Sequence, residues 1–241
     1  MKHHSTAFGS WVVCGAVGAL LGGCATAGRS DYAYSSPSTR LVQSSEGVIN
    51  EPFDTVWDRL VGRLATGFFI INNIDKASRL INVSYSSDSP GDFVDCGSTT
   101  RGFSFKNESR TFTYRVADSS AYKYAGKWGP LNNLPVVAEV SRQTSVEGRI
   151  NLYVAPVSAS ATRVTANVKY VFQVATAGVA TSYNAFGGVV SNEPIPRSTE
   201  EISFSTSEPG SKVWGAPTNT VRITCESTGQ LEKSLLAKAA P

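Results

Sequence analysis

Val164, Ala166, Val168, Tyr170 and Phe172 stand at every second position of one stretch of this chain. Only an extended strand sends alternate side chains to the same face, so the period fixes a β-strand with one face in a core. Just before it, Ile150, Leu152 and Val154 alternate with Arg149, Asn151 and Tyr153. Joined by a loop near 156–161, the two runs predict an antiparallel hairpin with one apolar face.

An apolar sheet face must be covered. Pro52 suits the first turn of a helix and Asp54 its positive end, while Phe53, Trp57, Leu60 and Leu64 recur at helical spacing. Val56 and Val61 widen that stripe and Gly67 ends it, so the spacing predicts a helix over 52–66. Near the C-terminus, Ser227 with Gln230 fits a capping box ahead of Leu231, Leu235 and Ala239 on one helical face. Between these helices, Phe68 to Ile74 reads as a buried strand, 75–78 as a tight turn, and Ile81, Val83 and Tyr85 as a half-exposed strand. Asp92 to Gly97 forms a short strand, and Phe112, Tyr114 and Val116 alternate after a polar loop. Ile202 and Phe204 begin another strand, Glu208-Pro209-Gly210 turns it, and Val221, Ile223 and Cys225 share the inward face of the last. The expected class is α+β, a curved antiparallel sheet with an N-terminal and a C-terminal helix packed on it.

Two stretches lack such a period. Residues 118–138 place Tyr122, Tyr124 and Trp128 among Gly, Pro and Asn, which reads as an irregular excursion. Residues 176–199 are rich in Gly, Ala, Ser and Asn with Pro194 and Pro196 near the end, and read as a long loop of the kind that usually carries function. These stretches and the segment around Trp214 supply the candidate partner contacts Trp128, Tyr183, Phe186 and Trp214. Aromatic side chains outside regular elements can anchor a partner, although they also cap cores.

The N-terminus has Lys2, an apolar run from Ala7 to Leu21, and the ending Leu21-Gly22-Gly23-Cys24. This resembles a secretory signal peptide closing on the lipobox of bacterial lipoproteins. The run is too short for a spanning helix, which needs about 20 residues. The resemblance implies cleavage before Cys24 and a lipid on Cys24. With Ala25 behind it rather than aspartate, it also implies anchoring in the outer membrane, facing the periplasm. The organisation expected is a signal peptide over 1–23, a lipidated flexible tether over 24–46 and one periplasmic domain over 47–241. Docking of Tyr32 and Tyr34 on a partner or on the domain itself is the alternative to a free tether.

With Cys14 in the signal and Cys24 lipidated, Cys96 and Cys225 remain, and in an oxidising compartment they are expected to pair; two buried free thiols are the alternative. His3 and His4 also lie in the signal, so the mature chain has no histidine for a Ser-His-Asp triad, a Cys-His pair or a His-bearing zinc site. Asp92 and Asp95 lack a third ligand and read as turn caps rather than a metal site. No catalytic residue, metal or cofactor is expected. The precursor carries +3; loss of Lys2 leaves 21 Lys and Arg against 19 acids, a scattered +2. Such a balance indicates neither nucleic acid nor a polybasic membrane surface, so membrane attachment must come from the lipid.

Taken with the lipobox and the Ser-rich tether, Pro52-Phe53-Asp54-Thr55-Val56-Trp57-Asp58-Arg59-Leu60 followed by a two-strand hairpin resembles the helix-grip domains of the BamC (NlpB) lipoproteins of the outer-membrane β-barrel assembly machine. The chain departs from that family in having one such domain rather than two and in its Cys96/Cys225 pair. The expected function is a non-enzymatic accessory or scaffold subunit of an envelope assembly for β-barrel insertion, secretion or pilus building, with an envelope protein as partner. The alternative is a periplasmic binder of a lipid or other small apolar ligand, held where the sheet curves around a helix.

Overall fold

The strand period of the 164–172 run extends far in both directions. A computed structural model describes residues 28–38, 45–128, 134–215 and 220–241. In chain order its elements are β1 (Arg29–Ser35), β2 (Glu46–Ile49), α1 (Phe53–Ala65), β3 (Ile70–Asp75), β4 (Leu80–Ser87), β5 (Val94–Asp95), β6 (Ser98–Phe105), β7 (Glu108–Arg115), β8 (Ser120–Trp128), β9 (Leu134–Ser158), β10 (Ala161–Tyr183), β11 (Val189–Ser205), β12 (Gly210–Trp214), β13 (Val221–Ser227) and α2 (Gln230–Ala239). The chain is α+β, mostly antiparallel sheet with two helices among the described residues.

The spine is the hairpin of β9, 25 residues long, and β10, 23 residues long, paired from Pro156 opposite Thr162 to Val136 opposite Ser182. Every even-numbered residue of β9 from Val136 to Val154 is buried, which is why one strand can run so far without turning. Each outer edge of the spine is shared by two strands. On β9, β8 pairs along Leu134–Arg142 and β4 along Val146–Tyr153. On β10, β2 pairs along Thr162–Thr165 and β11 along Lys169–Tyr183. β3 closes the sheet beyond β4.

One half of the spine carries the helices. Val56, Trp57, Leu60 and Leu64 of α1 and Leu231, Leu235 and Ala239 of α2 are buried in the main core with Ile150, Leu152, Val168, Tyr170 and Phe172. The expected stripes of both helices are those observed. α1 also caps α2: Arg59 donates to the Ala239 carbonyl at 3.0 Å and Arg63 to the Ala240 carbonyl at 2.6 Å, satisfying acceptors that a helix C-terminus leaves open. The other half is covered by the sheet β1-β6-β7, with Phe103, Phe105, Ala125 and Val137 as a second cluster. A third sheet, β12-β13-β5, holds the Cys96–Cys225 disulfide, whose partners lie 129 residues apart in sequence.

Several expectations are corrected. Residues 176–199 are not a loop: they are the paired ends of β10 and β11, and only 184–188 turn between them. Small polar residues there pair across the strands, Thr181 with Asn192 at 2.8 Å and Thr176 with Ser198 at 2.9 Å. Pro194 and Pro196 are tolerated because β11 lies at the edge of its sheet, with Pro196 at a register shift. Gly178 lies at that shift with the Glu139 carbonyl where a Cβ would stand, so no larger residue fits. Within 118–138, residues 120–128 are regular strand β8, and 129–133 fall outside the described residues. The polar loop before Phe112 is the β6–β7 hairpin.

The stretch expected as tether contains β1, which pairs with β6 from Arg29 opposite Ser104 to Ser35 opposite Ser98. The docking alternative for Tyr32 and Tyr34 is the one observed. β3 is an edge strand rather than a buried one: Phe68 before it is 95% exposed and Ile70 is 67% exposed, while Ile71 packs on the core. The capping box is absent as well. α2 starts behind Gly229 at φ 75°, and Ser227 accepts from the Gly229 N–H and turns towards Glu232 instead of capping.

Candidate functional site

The residues singled out from the sequence are dispersed. Cys24 lies outside the described residues. Cys96 and Cys225 are bonded and buried, joining the segment after β5 to β13. Asp95 accepts from the Gly97 N–H at 2.8 Å, which is turn capping. Trp128 closes β8 opposite Leu134, and its side chain lies outside the described residues. Trp214 ends β12 and packs against the main core, so it is half-buried and structural. Tyr183 packs on Phe105 with ring centres 4.6 Å apart, as part of the second cluster.

Of the three aromatics whose side chains are described, Phe186 alone stands free, 98% exposed at the β10–β11 turn. The turn around it is fixed: Asn184 Oδ1 accepts from the Phe186 and Gly188 N–H groups, and Lys106 donates to the Gly187 carbonyl at 2.6 Å. Lys106 also lies over the Tyr183 ring at 4.6 Å. The structure therefore keeps Tyr183 and Phe186 together and separates both from Trp214, which packs on a different core, although the sequence reading grouped all three.

Midway along the spine β4 ends at Ser87 and β8 starts at Ser120, which leaves Gln143–Ser145 of β9 without a strand on that side. Ser119 fills the gap, its Oγ accepting from the Thr144 N–H at 3.0 Å. Beside it Arg142, 6% exposed, donates to the carbonyls of Val116 at 2.9 Å and Asp118 at 3.1 Å and to Ser120 Oγ at 3.0 Å. Burial pushes the Arg142 guanidinium below its ordinary value. No carboxylate pairs with it among the described residues; aromatic faces compensate instead. Arg142 lies over Tyr114 at 4.9 Å, and Arg101 lies between Tyr122 at 4.2 Å and Tyr32 at 4.5 Å while donating to the Tyr114 hydroxyl at 2.9 Å. The gap opens to a polar cleft of about 360 Å³ lined by Asp88, Gln143, Gln173, Arg197 and Thr199. With Ser119, Thr144 and Ser145 also in its walls, the cleft offers many hydrogen-bonding groups.

On the tip-side half of the sheet Phe112, Tyr122, Val140 and Val179 line an apolar groove of about 370 Å³. At the opposite end of the molecule the outer edge of β3 is unpaired among the described residues and carries Phe68, Ile70 and Ile74 exposed beside it. No group of three or more His, Cys, Asp or Glu that could hold a metal occurs among the described residues, and no helix there is long and apolar enough to cross a membrane.

Sequence reasoning missed the β3 edge and the Arg–Tyr stack. Arg142 had a signal: it shares the even-numbered phase of Val140, Val146 and Ile150, which places it inside. The edge had none, because an apolar strand reads the same at a sheet's border as at its centre. Comparison with protein-family models, curated proteins and solved structures finds no match.

Proposed function

We propose that the chain is a non-enzymatic lipoprotein, held on the periplasmic face of the outer membrane by a lipid on Cys24, that serves as an accessory or scaffold subunit of an envelope assembly. In this reading the two helices against the spine are a helix-grip-like domain of the kind found in the BamC lipoproteins. The observation that carries it is the open β3 edge. Its outward N–H and C=O groups can take a further strand, and Phe68 at 95% and Ile70 at 67% exposure offer apolar anchors beside it. An envelope protein adding a strand there would gain main-chain hydrogen bonds for affinity and side-chain contacts for specificity.

The test is a crosslinked pull-down from membranes with wild type and with a Phe68→Ser/Ile70→Lys double variant. Both sites are exposed, so the thermal melt is expected to stay within a few degrees while recovery of envelope proteins is lost. Equal recovery from both chains overturns the reading. The apolar groove lined by Phe112, Tyr122, Val140 and Val179 supports the second reading, a binder of a lipid or other small apolar ligand. A stoichiometric lipid in native mass spectra of purified protein, removed by Val179→Asp, decides for that reading.

A further inference from the structure

Four segments meet at one end of the molecule. Gly28, where the described chain begins, stands against Phe105 and Ala125. Phe105 packs on Tyr183, and Lys106 next to it is bonded to Gly187 in the β10–β11 turn. The open end of the β8–β9 pair, Trp128 opposite Leu134, belongs to the same end, since Val136 two residues on is opposite Ser182. Cys24 precedes Gly28 by four residues, a reach of at most about 14 Å. A lipid on Cys24 therefore enters the bilayer beside this end and no other, because even the near end of the β3 edge, Ile70, is level with Arg149 of β9, twelve residues on from the Val137 that is opposite Ala125.

The surface found there suits a bilayer. Between Gln173 and Glu193 the chain has no charged residue, so nothing on the β10–β11 tip must be stripped of a charge's hydration to enter a lipid layer. Phe186 at 98%, Val189 at 60% and Val190 at 55% exposure project from it. Lys106 stands just behind, bonded to the Gly187 carbonyl, where headgroup phosphates would lie, whereas Arg29 is paired with Asp31 at 3.3 Å. The turn is already ordered by Asn184 and Lys106, so insertion costs little further conformational entropy.

We propose that the β10–β11 tip is a membrane-docking finger: Phe186, Val189 and Val190 enter the interfacial layer of the bilayer that holds the Cys24 lipid, and Lys106 meets its phosphates. This rests on the lipoprotein reading above and adds an orientation to it. The finger fixes the domain upright, with the β3 edge turned away from the membrane and towards partners.

The test places the photo-crosslinker benzoylphenylalanine at position 186, or at position 68, of the full-length chain. Isolated membranes are irradiated and the crosslinked peptides read by mass spectrometry. Positions 186 and 68 are both occupied by almost fully exposed phenylalanines, so either replacement leaves the core intact. Phospholipid adducts are expected at 186 in roughly tenfold excess over 68, since only a side chain below the headgroups meets acyl chains. Equal adducts at the two positions, or protein adducts alone at 186, overturn the finger. The intact mass separates the two ideas: an acylated Cys24 without lipid at 186 overturns the orientation and leaves the anchor, whereas an unmodified Cys24 overturns both.

Discussion

Glu232 is 1% exposed, and three hydroxyls surround its carboxylate: Tyr170 donates to Oε2 at 2.9 Å, Thr206 to Oε1 at 2.7 Å and Ser227 at 3.1 Å. Those donors come from β10, the turn after β11 and the end of β13, so one carboxylate of α2 collects three segments onto the helix. Charge-assisted bonds of this kind are about twice as strong as neutral ones. The arrangement also has a pH signature. Burial first, and then the neighbouring Glu232 charge, push the Tyr170 phenol far above its ordinary value. The folded state therefore keeps this proton after the unfolded state has lost it. The stabilisation is complete below the unfolded phenol value of about 10 and is lost progressively as pH rises above it. Urea unfolding between pH 8 and 11 should show level stability up to about pH 10 and a fall beyond. Tyr170→Phe should be less stable at pH 8 by about 1 to 2 kcal/mol and show a shallower fall. Tyr34, Tyr122 and Tyr124, also raised by burial, supply the remaining slope. An alkaline fall as steep in the variant as in the parent would remove Tyr170 from the explanation.

Among the elements, β1 decides how the N-terminus meets the body. Its Tyr34 hydroxyl accepts from the Thr224 N–H at 3.0 Å and donates to the Cys96 carbonyl at 3.2 Å, so one side chain bridges the two segments that the disulfide joins. Tyr34→Phe leaves the Thr224 N–H without a partner and should cost about 1 to 3 kcal/mol in chemical denaturation. A change below about 0.5 kcal/mol would mean that β1 rests on the domain without bracing it. What was legible at this scale followed from burial on one side only. The stripes of α1 and α2 and the alternation of Ile150–Val154 and Val164–Phe172 each have one wet and one dry face, and the period reports that contrast directly. β1, β8 and the far ends of β10 and β11 were illegible because their residues are small, polar or aromatic on both faces. Val136, Val137 and Ala138 are buried in succession, which erases the period. Pairing made those segments strands, and pairing partners leave no mark in a local window. The Cys96–Cys225 bond was legible for a different reason, since it followed from the expected compartment and from counting thiols rather than from any pattern.

The whole molecule is one spine with two unequal coverings. The main core draws buried residues from α1, β4, β9, β10, β11, β13 and α2, whereas the second is Phe103, Phe105, Ala125 and Val137, with Phe112 and Tyr183 packed against it. Apolar burial is the chief source of stability, so the tip half should open at lower free energy than the helix half, although β9 and β10 run through both. This division suits the proposed roles: a firm body presents the β3 edge while a more yielding end conforms to the membrane. Phe105 is the residue on which the weaker half turns, because it touches Tyr183 and stands beside Gly28. Removing a buried phenylalanine side chain typically costs about 3 to 5 kcal/mol, more than a four-residue cluster can lose and stay closed. Phe105→Ala should therefore speed amide hydrogen exchange across 98–128 and 178–196 by orders of magnitude. Exchange across 146–154 and 164–172 should remain close to that of the parent. Equal acceleration in both sets would show that the two halves open as one cooperative unit, and that the disulfide and the long hairpin couple the membrane end rigidly to the edge at which a partner would bind.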